Sequence, residues 1–134
     1  MNVAAAILVY NNKIIAFQRP LSVNKDISLK YEFPGGKVKK NETPVVALVR
    51  ELKEELNLNV HNLQNYFEST YKYPDLEVNL NFFITEIKNL NFKLNVHLSY
   101  KIIDIKELKK LDWLAADYSV IDFIESNGVA KYLD

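Results

Sequence analysis

Glycine occurs only three times in these 134 residues, and two of the three are adjacent, Gly35 and Gly36, in the stretch FPGGKVKKNETPVVALVRELKEELNL. In a chain so poor in glycine, a pair marks a place where the backbone adopts positive φ or comes close to something else. An ordinary Pro-Gly turn fits the same description, so the pair gains meaning only from the residues downstream of it. Residues Pro44 to Leu56 carry helical spacing. On a wheel of about 100° per residue, Val45, Val49, Leu52 and Leu56 form one apolar stripe. Asn41 or Thr43 supplies an N-cap, and Pro44 suits the first helical position.

The same helix carries Glu51, Glu54 and Glu55 toward its C-terminus, within an arc of about 100° opposite that stripe. Each like-charge pair at this spacing costs about 0.2–0.5 kcal/mol. Each carboxylate in the last turn opposes the helix dipole by about 0.3–1 kcal/mol. Lys53 points elsewhere and neutralises the patch poorly. A solvated acidic face is the ordinary explanation, but it leaves unexplained why three anions converge downstream of a glycine pair. A divalent cation explains both, because carboxylates and a backbone carbonyl are hard oxygen donors of the kind that Mg²⁺ or Mn²⁺ prefers. Such a cation, keeping part of its water shell, engages the phosphate oxygens of a substrate. Glu42 and Arg50, two turns apart, read as an ion pair tying the loop to the helix.

The rest of the chain reads as strands around that helix. Val3–Tyr10, the turn NNK and Ile14–Gln18 form a hairpin. Arg19 to Lys30 is an aperiodic polar loop, and YEF is a short strand leg ending at Pro34-Gly35-Gly36. Leu63–Tyr73 and Glu77–Ile87 are strands divided by the turn YPD, with Val78, Leu80, Phe82 and Ile84 on one face. Asn89 to His97 and Tyr100 to Ile105 read as two more strands. DIKELKKL suggests a short helix, and Tyr118–Ser126 a terminal amphipathic one. The expected class is α/β with a central mixed sheet, one long helix between strands and a helix at the C-terminus. At this length the chain is expected to be one domain, residues 1–134.

Composition narrows the partners. Seventeen basic residues balance seventeen acidic ones, so no net field draws the chain to a nucleic acid polymer or an anionic membrane. With no cysteine there is no thiolate metal site and no cysteine nucleophile. The apolar run Val3 to Tyr10 is too short to span a membrane and lacks a basic leader, so it reads as a buried first strand in a cytoplasmic protein. Oligomeric state leaves no mark in the sequence, monomer and homodimer being equally compatible with it.

The spacing G-x5-E-x7-R-E-U-x-E-E-x-G-U, with U a bulky aliphatic, resembles the signature of the Nudix hydrolases. Gly36, Glu42, Arg50, Glu51, Leu52, Glu54, Glu55 and Leu58 fall in register, and Asn57 replaces the remaining glycine. Asparagine is the next most tolerant residue for a left-handed helix ending. YEFPGGK and LDWLAADYSVIDFI extend the similarity to the MutT-like branch, whose members sanitise nucleotide pools or hydrolyse pyrimidine nucleoside triphosphates. The resemblance implies a Nudix α/β/α sandwich around a mixed sheet, and a small-molecule nucleotide as substrate.

By position, it further implies that Glu54 and Glu55 are metal ligands with the carbonyl of Gly35, and that Glu51 is a ligand or the general base. Gly36, Glu42 and Arg50 are the structural residues of the motif. Arg19 matches a position that contacts phosphates, and Lys37 lies near them. Asp117 stands where relatives read the base edge, although it equally suits an N-cap for the last helix. Among the aromatic residues, Tyr73 and Phe82 are candidates to stack on a base. Many relatives carry a further Glu before a His. Here Val96 precedes His97, which reads as structural, and Glu77 or Glu68 is the candidate replacement for that carboxylate. The expected product pair is a nucleoside monophosphate and pyrophosphate, from 8-oxo-dGTP or another triphosphate, with CTP, dCTP or its 5-methyl form as the alternative. A nucleotide-binding module without catalysis is the reading from another class.

Overall fold

The structure, a computed structural model, describes residues 1–133. Its elements in order are strands β1 (Asn2–Tyr10), β2 (Lys13–Gln18), β3 (Tyr31–Glu32) and β4 (Gly35–Lys37), then helix α1 (Pro44–Leu56). Strands β5 (Gln64–Tyr73), β6 (Leu76–Glu86) and β7 (Ser99–Ile103) and helix α2 (Tyr118–Asn127) come next, with 3-10 turns at Ile105–Lys110, Ala115–Asp117 and Ala130–Tyr132. Among the described residues, seven strands share one mixed sheet. β1 lies at its centre, parallel to β6 along one edge. Its other edge pairs antiparallel with β4 near the start and with β2 near the end. Six successive residues of β1, Ala4 to Val9, are buried because both faces of the sheet are covered.

Side chains alternate between two cores, as the period of a strand requires. Ala5, Ile7 and Val9 of β1 face α2, Trp113 and the inner residues of β6. Ala4, Ala6 and Leu8 face α1, whose Leu48, Leu52 and Leu56 fill that side. Helices thus cover both faces, giving the expected sandwich. Among the described residues no helix is long and apolar enough to cross a membrane.

The first hairpin turns through Asn11 and Asn12, both at positive φ, the conformation that a two-residue turn needs. Helix α1 has the expected limits. Thr43 caps it by accepting from the N–H of Val46 at 3.3 Å, and Asn57 closes it at φ 52°. The N–H groups of Asn57 and Leu58 satisfy the carbonyls of Lys53 and Leu52, a Schellman ending.

Three expectations fail. Asn89 to His97 is not a strand. Leu90, Phe92 and Leu94 do alternate inward against the α1 core, but the backbone bonds to the end of α1 instead of to a neighbouring strand. Gly35–Lys37, read as the end of the YEF leg, is itself strand β4, paired with Ala5, Ala4 and Val3. Finally, α1 is rotated from the expected face. Val45 and Val49 are each 37% exposed, while Ala47 and Leu48 are fully buried with Leu52 and Leu56. Glu55, about 20° from buried Leu48 on the helix wheel and on the Ala47 side of it, therefore falls on the inward side of α1 and not on an exposed patch opposite the apolar stripe.

Candidate active site

The segment Tyr31–Lys37 changes partner midway. β3 pairs with Phe17 and Gln18 of β2, the Pro34 carbonyl accepts from Ala6, and β4 then pairs with β1. It fills the gap where β1 and β2 diverge, and both glycines make close approaches there. At Gly35, φ is 154°, and a Cβ would lie 2.0 Å from the Ala4 carbonyl oxygen. At Gly36, a Cβ would stand 2.5 Å from the carboxyl carbon of Glu51. The pair therefore brings bare backbone up to the inner face of α1. The N–H of Gly35 donates to Oε1 of Glu55 at 3.2 Å.

One end of the motif is closed by paired charge. Arg50 donates from Nε to Glu42 at 2.8 Å and from Nη2 to the same carboxylate at 2.9 Å, a fork-on-fork contact. It also donates to the Lys37 carbonyl at 3.1 Å and to Glu51 Oε1 at 2.9 Å, and stands 3.6 Å from Glu54. The bonds from Arg50 and from the Lys39 N–H hold the Glu42 carboxyl down to about 2. Arg50 thus anchors the loop, as expected, and also reaches two of the three candidate ligands.

The other end brings carboxylates together. Burial pushes the Glu55 carboxyl up to about 8, helped by the neighbouring Glu32 and Glu51 and opposed by the Gly35 N–H and Arg19. Glu32 is a site residue that the sequence reading did not single out. It sits on β3 with one oxygen 3.1 Å from Arg19 Nη1 and the other 2.8 Å from His97 Nε2. The signal lies in YEF, where an acidic residue stands between two aromatic residues on a buried strand. Glu77 and Glu68, the expected replacements for the carboxylate missing at Val96, are exposed instead. Glu77 pairs with Lys72, and Glu68 lies on the β5–β6 surface.

Beside these carboxylates opens a cleft of about 470 Å³, lined by Arg19, Glu32, Gly35, Gly36, Lys37 and Asp117 over an apolar floor that includes Phe33 and Leu80. Asp117 holds the N-cap position of α2, but it is buried and its carboxyl makes no capping bond. It accepts from the Phe33 N–H, while burial first and Glu32 second raise it well above the usual carboxylate range. Tyr73 stands at the cleft rim, 44% exposed. Phe82 is 1% exposed, packed edge-on against Phe33 in the core, and offers no free face to a base. That correction comes from its inward place on a strand covered by α2.

The donors suit a hard divalent cation. Glu51, Glu54, Glu55 and the Gly35 carbonyl offer oxygen, the donor type that Mg²⁺ and Mn²⁺ prefer. Among the described residues no three acidic or imidazole groups form a ready-made cage, since Arg50 holds Glu51 and stands near Glu54.

The family model described as NUDIX domain matches residues 1–122. The chain belongs to the Nudix family. Its relatives place it in the MutT-like branch of these hydrolases, which generally use divalent metals. It is 40% identical over 92 residues to an 8-oxo-dGTP diphosphatase of Proteus vulgaris, covering 66% of this chain and 80% of the relative. Over 58 residues it is 45% identical to a CTP pyrophosphohydrolase of Escherichia coli, 43% of this chain and 42% of that one. The solution structure of the E. coli ORF135 protein superposes with a TM-score of 0.81 at 24% identity, covering 99% of this chain and 94% of that one, which supports the fold.

Proposed function

We propose that this Nudix chain is a single-domain Mg²⁺-dependent nucleoside triphosphate pyrophosphohydrolase of the cytoplasm, releasing a nucleoside monophosphate and pyrophosphate. The observation that carries the reading is the approach of Glu51 and Glu55 to the bare backbone of Gly35 and Gly36, at the edge of a cleft large enough for a nucleoside. Glu54, Glu55 and the Gly35 carbonyl would hold the metal, with Glu51 as a further ligand or as base toward the attacking water. Bound there, Mg²⁺ or Mn²⁺ would offset phosphate charge and lower the pKa of water. Arg19 and Lys37 add fixed positive charge for the phosphates. The base lies over the apolar floor with Tyr73 at its rim, and Asp117 provides the polar group that reads it.

Relatives named for 8-oxo-dGTP favour an oxidised purine as the first substrate. The CTP pyrophosphohydrolase relative keeps a pyrimidine triphosphate as the second. The test is pyrophosphate release from a panel of both classes with Mg²⁺, read as ratios of kcat/KM. Release from at least one class, with a preference of tenfold or more, is expected. A protein that binds the nucleotides yet releases no pyrophosphate from any of them would be a binding module instead.

A further inference from the structure

Residues 88–98 form the irregular connection between β6 and β7, yet their polar groups are committed. The N–H groups of Lys93 and Asn95 donate to the carbonyls of Leu56 and Glu55 at 2.8 and 3.0 Å, and the Asn95 side-chain amide donates to the Glu54 carbonyl at 3.0 Å. These are carbonyls that a helix end leaves without partners. The connection therefore completes the capping of α1 beside its two terminal glutamates. Three residues after Asn95, the Leu98 N–H donates to the Gln18 carbonyl at 2.8 Å. The chain between these two anchors has little freedom.

His97 lies in that short span. Its side chain is buried, 5.2 Å from the Phe17 ring centre. Nε2 is 2.8 Å from Glu32 Oε2, and because a carboxylate only accepts, Nε2 carries the hydrogen. Nδ1 is buried with no hydrogen-bond partner. A buried polar atom left unsatisfied is costly, so an aliphatic side chain would suit this pocket better if packing were its only purpose. What the imidazole provides is one directed donor to a carboxylate at the cleft wall. The second oxygen of that carboxylate receives Arg19 at 3.1 Å, and both Glu32 and Arg19 line the cleft.

We infer that His97 is a positioning residue: it fixes the rotation of the Glu32 carboxylate and, through it, the place of the Arg19 guanidinium in the cleft. With the imidazole bond present, Oε2 is taken and Arg19 holds Glu32 through Nη1; Nε is buried, so Nη2 is the nitrogen left to a substrate anion. Without that bond, the carboxylate turns to take Arg19 with both oxygens, the geometry that arginine and carboxylate prefer. The guanidinium is then drawn away from the substrate. The effect falls on substrate binding and not on the chemical step. This inference rests on the cleft being the nucleotide site.

The test compares His97→Leu and His97→Gln with the unaltered protein. Three quantities are measured: the melting temperature, the Kd for a non-hydrolysable α,β-methylene nucleoside triphosphate with Mg²⁺, and kcat and KM separately. Leucine removes the donor and the orphaned nitrogen together. Its melting temperature should be unchanged or higher, while Kd and KM rise about tenfold and kcat stays within about threefold. Glutamine places an amide N–H near the position of Nε2 and should bring Kd and KM back to within about threefold of the original. Wild-type Kd and KM in His97→Leu would overturn the inference while leaving the proposed function standing. So would a folded His97→Gln as impaired as the leucine variant. If leucine prevents folding, His97→Asn, whose amide stops one bond short of Glu32, takes its place with the same expected loss. An unaltered protein that neither binds the analogue nor releases pyrophosphate would overturn the nucleotide reading, and the role of His97 with it.

Discussion

Glu42 and Glu55 lie on either side of Arg50, and their environments are opposite. Glu42 accepts two bonds from Arg50 and one from the Lys39 N–H, and its carboxyl is held down to about 2. Glu55 is pushed up to about 8, chiefly by burial, with Glu32 and Glu51 adding to it and the Gly35 N–H bond and Arg19 opposing it. The first carboxylate is paired and holds the loop to the helix. The second is half-buried near like charges, which favours its protonated form. Within one motif, the paired charge ties loop to helix, and the half-buried one lies where the metal is proposed to bind.

The two carboxylates also give opposite pH dependences. Glu42, lowered from its ordinary 4.5, contributes stability that is present above pH 4.5 and lost as pH falls toward 2. Glu55 is raised, so below pH 4.5 it contributes nothing. Between 4.5 and 8 the unfolded chain ionises while the folded one keeps its proton, and stability falls as pH rises. Glu55→Gln removes both the penalty and the ligand, and the largest effect is expected there. Turnover should drop by about 1000-fold or more. The metal-free variant should be more stable than wild type at pH 8 by about 1–3 kcal/mol, with the two converging near pH 4.5. Denaturant melts across that range, paired with pyrophosphate release, measure both. Parallel stability curves for the two proteins would mean that Glu55 is not the stressed carboxylate. Glu54→Gln should also abolish turnover without the gain in stability, because its side chain is 58% exposed.

Gly36→Ala acts on the same end by displacement. The new methyl would overlap the Glu51 carboxyl, at 2.5 Å from its carbon, and Glu51 is a side chain that can swing away. Stability should change little, while turnover falls about 10- to 100-fold because a candidate ligand moves by roughly an ångström. Unchanged kcat with a folded protein would show that the place of Glu51 against Gly36 does not matter to the reaction.

Arg50→Lys probes the paired end, with a smaller effect on activity. A lysine cannot reproduce the two-pronged contact with Glu42 while also reaching the Lys37 carbonyl and Glu51. The melting temperature should fall. Turnover should drop by about tenfold, through the loosened loop and Glu51. A variant that keeps its melting temperature but loses activity as fully as Glu55→Gln would erase the distinction between the two ends.

How far the sequence reveals this arrangement depends on how local each cause is. The helix limits, the Glu42–Arg50 pair and the left-handed Asn57 come from interactions within about ten residues, and all stand where the residues indicate. Glu32 escapes notice because its meaning depends on Arg19 and His97, 13 and 65 positions away, which only the sheet brings together. The segment from Asn89 to His97 misleads for a related reason. Its apolar alternation is real, but its backbone partner is a helix end, which no strand pattern announces. Gly35 and Gly36 signal close approach without saying to what. The answer, β1 on one side and Glu51 on the other, is tertiary.

The smallest effect concerns the helix face on which the comparison depends. The wheel suggests Val45 and Val49 as part of the buried stripe, and both are 37% exposed, whereas Leu48 is fully buried. Val45→Ala and Val49→Ala should each change stability by less than about 1 kcal/mol. Leu48→Ala, which empties a packed site between α1 and β1, should cost about 2–5 kcal/mol. The contrast matters because Glu55 faces inward only if α1 is seated on Leu48 and Leu52. If the valines cost as much as the leucine in denaturant melts, the helix would be turned the other way. Glu55 would then face solvent with nothing to raise its carboxyl, and the difference from Glu42 would vanish.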